Sequence, residues 1–114
     1  MRTFPMTDDT GVLRCFEVSN LWLKPRAIGR ILRAGGAEVL RDQQVPRDDR
    51  DVRLRFRFRS HNFLVIEPFG DNSRYLVAPE APSLTAAIDV QALHDVFSSY
   101  RPTPAAVIRS LIGA

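Results

Sequence analysis

The sequence predicts an α/β protein of the α+β two-layer sandwich type. A mixed sheet of about five strands carries helices mainly on one face, in the order β-α-β-β-β-β-α-α. Three observations carry that expectation. Val52, Leu54, Phe56 and Phe58 alternate with Arg53, Arg55, Arg57 and Arg59, the period of two that belongs to a half-buried strand. Between residues 12 and 44 an extended run, a helical run and a second extended run follow one another, the pattern of a crossover unit. Ala92, Leu93, Val96, Phe97 and Tyr100 recur at spacings of three and four, the stripe of an amphipathic helix.

Taken in order, residues 1–10 are expected as a mobile arm ending before Gly11, and Val12 to Val18 mixes β-branched, aromatic and charged residues as a strand does. Ser19 and Asn20 break that strand. Pro25 then suits the first position of a helix running to Ala34, with Ile28, Ile31 and Leu32 on one face and Arg26, Arg30 and Arg33 on the other. Gly35-Gly36 supplies a left-handed residue to close the helix, and Ala37 to Gln44 resumes an extended pattern expected to lie parallel to the first strand. The connector Val45 to Asp51, with Pro46 and alternating arginines and aspartates, reads as an exposed loop.

Residues 52–78 form an antiparallel meander of three strands, interrupted at Ser60-His61-Asn62 and at Phe69-Gly70-Asp71-Asn72. Phe63 to Glu67 is apolar at successive positions, which marks an interior strand with both faces at least partly covered. Two hairpin registers are open. A turn over Ser60 to Asn62 sets Arg57 opposite Val65 and Arg55 opposite Glu67, whereas a two-residue turn sets Arg57 against Leu64. After Pro79 and Pro82 the last clear helix is expected to begin near Asp89 as its cap, Leu84 to Ile88 being an alternative earlier start. Pro102 and Pro104 set off a tail, residues 103–114, whose Val107, Ile108, Leu111 and Ile112 make a short helical apolar stripe. Phe56, Phe58, Ile31, Leu32, Leu93, Val96 and Phe97 are the expected core.

A chain of 114 residues, 45% hydrophobic and 25% charged, is expected to form one domain over 1–114. No apolar stretch is long enough for a signal peptide or membrane span, so the expectation is a cytoplasmic protein that does not engage a membrane. Cys15 is the only cysteine, which excludes an internal disulfide and reads as a buried small hydrophobe. The formal charge is +3, and Lys24 is the one lysine among 16 cationic side chains, a preference that a GC-rich bacterial genome produces. The cationic excess falls on the meander and the N-terminal third.

No catalytic, metal or cofactor motif is present, so no catalytic residue, metal ligand or cofactor is expected. His61 and His94 lack ligand spacing and are expected as solvated side chains. Ser98 and Ser99 lack the flanking glycines of a nucleophile elbow. An anion at the start of the first helix, beside Lys24 and Arg26, is a weaker expectation. Two surfaces remain: the arginine face of Arg53, Arg55, Arg57 and Arg59 with Arg74, and the C-terminal stripe of Val107, Ile108, Leu111 and Ile112. They point to a non-catalytic bacterial module that binds another protein or a second copy of itself. Nucleic-acid binding through the arginine face is the alternative, since cations two residues apart on one strand face can meet successive phosphates. Against it, Phe56 and Phe58 fall on the opposite face, away from any base they could stack on. The arginine stems instead suit sheltering the middle strand, with Glu67 as a cross-strand partner.

Overall fold

The computed structural model describes residues 2–19, 24–42, 52–67 and 74–100. The chain order is β1 (Arg2–Thr7), β2 (Leu13–Ser19), α1 (Pro25–Ala34), β3 (Glu38–Asp42), β4 (Val52–Phe58), β5 (His61–Ile66), β6 (Tyr75–Pro79) and α2 (Leu84–Ser99). The strands form one six-stranded open sheet ordered β1-β2-β6-β5-β4-β3, giving an α+β fold. Every pairing is antiparallel. The expected mixed sheet of about five strands is corrected on both counts.

The sixth strand comes from the segment expected as a mobile arm. Residues 2 to 7 pair along β2 from Arg2↔Ser19 to Met6↔Cys15. The connection is held by Asp8, whose Oδ1 accepts from the Thr10 and Val12 amides and the Thr10 hydroxyl, while Arg14 Nε donates to its Oδ2 at 2.7 Å. Thr10 and Arg14 hold its carboxyl well below the usual carboxylate range. Pro5 belongs on such an edge, where a missing amide removes no ladder bond and blunts further pairing.

The crossover also resolves differently. β2 and β3 run in the same direction, but β6, β5 and β4 lie between them, so they never pair. The meander strands take the central positions, with a turn of only two residues between β4 and β5. α1 follows Pro25 at its first turn and closes at Gly36, whose φ of +93° is costly for a side chain. Gly35 serves packing instead: a Cβ there would meet Val96 Cγ1 at 2.6 Å, so its absence lets α1 and α2 approach.

α2 begins six residues earlier than an Asp89 cap implies. Ser83 is the N-cap, its Oγ accepting from the Ala86 amide at 3.0 Å, and Asp89 lies inside the helix. Leu54, Phe56, Phe58, Phe63, Val65, Tyr75, Val77, Phe16 and Val18 from the strands meet Ile28, Ile31, Leu32, Val90, Leu93 and Phe97 from the helices in one core cluster, with Val96 packed against it. All the expected core residues are there. Phe56 and Phe63, directly opposite across β4 and β5, stack with centroids 5.4 Å apart. The tail and its stripe, Val107, Ile108, Leu111 and Ile112, lie outside the described residues.

Candidate functional site

The arginine row is not a row in space. A register shift between Val52 and Leu54 breaks the alternation at Arg53. Val52 is buried yet outside the core cluster of Leu54, Phe56 and Phe58. Arg53 Nε donates to Glu67 Oε2 at 2.7 Å, and Glu67 is only 4% exposed. This pair sits beside the phenol of Tyr75, whose pKa burial pushes up to about 12, with Glu67 adding to the rise and Arg53 opposing it.

Arg59 departs at the other end. The hairpin turn is Arg59-Ser60, closed by Phe58↔His61, and Arg59 adopts φ +59°. Arg57 therefore faces Asn62 and Arg55 faces Leu64, correcting both sequence registers. Arg59 lies over the Phe58 ring, and its Nη1 reaches Asp89 Oδ1 of α2 at 3.4 Å. Of the four alternating arginines, Arg55 and Arg57 keep the expected position.

Their face of the sheet carries no described helix. Ladder pairing places Arg55, Leu64 and Ala78 in one line across it, and Ile66, Leu76 and Glu17 in the next, with Phe4 beyond Glu17. Leu64, Ile66, Leu76 and Ala78 are half-buried. The charges close on one another. Arg55 Nε is 3.2 Å from Glu80 Oε1, and Arg74 Nη1 donates to Glu17 Oε1 at 3.1 Å while lying 4.0 Å above the Phe4 ring. Arg57 Nε donates to Asn62 Oδ1 at 3.3 Å and stands opposite Glu38. Cys15, half-buried rather than core, lies with its sulfur 3.5 Å from that of Met6, and burial, then Glu17, raises its thiol pKa.

A second cluster joins the hairpin to α2, and the sequence does not reveal it. His61 Nδ1 lies 2.6 Å from Asp89 Oδ2, and its Nε2 lies 3.3 Å from Thr85 Oγ1, which is 3.1 Å from Ser83 Oγ. The carboxylate only accepts, so Nδ1 is the donor in its contact with Asp89, while the Thr85 hydroxyl can donate to or accept from Nε2. Asp89, 6% exposed, is thereby satisfied by His61 and Arg59. A cleft of about 380 Å³ beside it is lined by Arg57, Arg59, Ser60, His61, Asn62, Glu80 and Ala81. The residue order resembles a proton relay, but Ser83 is engaged as the helix cap. The arrangement fastens the β4–β5 turn to α2. His94 is likewise engaged, edge-on to Phe16 at 5.2 Å and 3.2 Å from Thr3 Oγ1. The expectation of two solvated histidines is therefore corrected. The signal for it was present only as a spacing of 28 residues between His61 and Asp89, which no local pattern marks.

Among the described residues no group of three or more His, Cys, Asp or Glu side chains is placed to hold a metal ion. None of the described helices is long and apolar enough to cross a membrane. Comparison of the chain with protein-family models, curated proteins and solved structures returns no match.

Proposed function

We propose that this protein is a non-catalytic cytoplasmic bacterial module that associates with a second copy of itself through the sheet face that carries no described helix. What supports the reading is the composition of that face: an apolar centre of Leu64, Ile66, Leu76 and Ala78 flanked by charge pairs of both signs. Apolar centres with polar rims are the anatomy of protein interfaces. A face carrying both arginine and glutamate is also complementary to its own copy under a two-fold axis. The same pairing disfavours the arginine face as a nucleic-acid surface, because Arg53, Arg55, Arg59 and Arg74 each already have a carboxylate within 4 Å.

Light scattering across a concentration series tests this directly. The expected result is a mass rising toward twice the monomer value, returned to monomer by Leu76→Glu in a variant that keeps its melting transition. A parent that stays monomeric at all concentrations removes the reading.

A further inference from the structure

Among the described residues, cations without an ion pair gather at α1 and its N-cap. Lys24, Arg26, Arg30 and Arg33 occur within ten residues that contain no acidic side chain. None of them forms an ion pair with a described residue, whereas Arg14, Arg53, Arg55, Arg59 and Arg74 all do. Arg26, Arg30 and Arg33 stand at i, i+4 and i+7, which is one stripe along a helix. The opposite side of α1 is spent in the core, with Ile28, Ile31 and Leu32 buried.

At the N-terminal end of α1 the placement also works against local stability, whereas Arg33 in the last turn suits the dipole. Lys24 is the N-cap residue but provides no side-chain cap, and no acidic residue occupies the first turn. Cations at the positive end of a helix dipole are unfavourable, and a local rule broken without local gain is expected where function imposes it. We propose that the outer face of α1 is a docking surface for the phosphate backbone of duplex nucleic acid.

Charge complementarity selects that occupant over other anions. An anionic membrane could meet the stripe by charge alone but would lack the apolar insertion that strengthens anchoring, because the apolar side chains Ile28, Ile31 and Leu32 are buried. An acidic protein would need a desolvated apolar or aromatic anchor, and the stripe is arginine alone. No aromatic residue lies on α1, so single-stranded bases have nothing there to stack on. A duplex backbone needs only cations at the right pitch. Seven residues of helix rise about 10 Å, and one DNA strand presents a phosphate about every 3.4 Å of axis, so the stripe spans about three phosphates. Binding of this kind carries no sequence preference.

The test is fluorescence anisotropy of a labelled DNA duplex of about 20 base pairs with the full chain, from about 20 to about 200 mM NaCl. The expected slope of log K against log salt is about −3, and R26Q/R30Q/R33Q flattens it by about three while weakening low-salt binding at least about tenfold. R26K/R30K/R33K, which keeps the charge, retains binding, and R14Q, which removes a cation already paired with Asp8, leaves it unchanged. Circular dichroism and melting of each variant separate lost binding from lost folding, and the parent's own salt slope needs no variant. The proposal is overturned if the parent does not bind at about 20 mM NaCl or if the glutamine triple binds like the parent. It is equally overturned if poly-glutamate or anionic vesicles bind more tightly than the duplex at matched salt. Because light scattering without DNA tests self-association, each proposal can fail alone.

Discussion

The two sides of β4 are built from one alternating sequence and are held by different physics. Leu54, Phe56 and Phe58 are buried in the core cluster, where stabilisation scales with apolar area and needs no particular partner. Arg53, Arg55 and Arg57 are held by individual carboxylate or amide oxygens contributed by other elements: Glu67, Glu80 and Asn62. The inward side is therefore robust to small errors of register. The arginine side is not, and a single bulge at Arg53 and a turn at Arg59 break up what reads as a continuous row.

The largest expected effect lies on the inward side. Phe56→Ala removes a ring stacked on Phe63 and should cost about 3–5 kcal/mol in urea unfolding, enough to unfold a marginal domain. A loss no greater than that of Arg55→Ala would mean the two sides do not differ as described.

Where the two sides meet, pH supplies a probe. Tyr75 is buried, and the pKa of its phenol is raised from 10.0 to about 12. The folded state thus favours the neutral form, so this contribution is fully present below the unfolded pKa and is lost as pH rises from about 10 toward 12. Two pKa units correspond to about 3 kcal/mol at most. Tyr75→Phe should show a flatter alkaline decline than the parent, and identical slopes would detach Tyr75 from the buried Glu67 and Arg53.

Packing between the helices sharpens the inward side further. Gly35→Ala places a methyl against Val96 and should cost about 1–3 kcal/mol, with most of the loss recovered in the Gly35→Ala/Val96→Ala pair. Unaltered stability of the single variant would show that the helices do not approach as closely as the geometry states. The smallest effect belongs to Arg55→Gln with Arg57→Gln, expected to change stability by less than about 1 kcal/mol because both pairs are partly solvated. A loss comparable to Phe56→Ala would make the outer side structural.

Much of this fold is determined within short windows of sequence. Pro25 to Ala34 is a helix because proline suits its first turn, its apolar residues share a face and two glycines end it. The alternation from Leu54 to Phe58 sets which side chains enter the core, since a period of two admits one facing. Tertiary structure decided the remainder, because it depends on partners distant in the chain. Residues 2–7 carry a weak strand pattern and become β1 only because β2 offers an edge. β2 and β3 share a direction without pairing because the meander occupies the space between them. Above all, whether the charge of each arginine is compensated was decided by whether a carboxylate from another element arrived beside it. Glu67, Glu80, Asp89 and Glu17 reach the sheet arginines and the turn, and no described carboxylate reaches Arg26, Arg30 or Arg33. Ion pairing acts over a few ångströms in space and has no period in sequence, which is why the row that looked most cationic is largely neutralised.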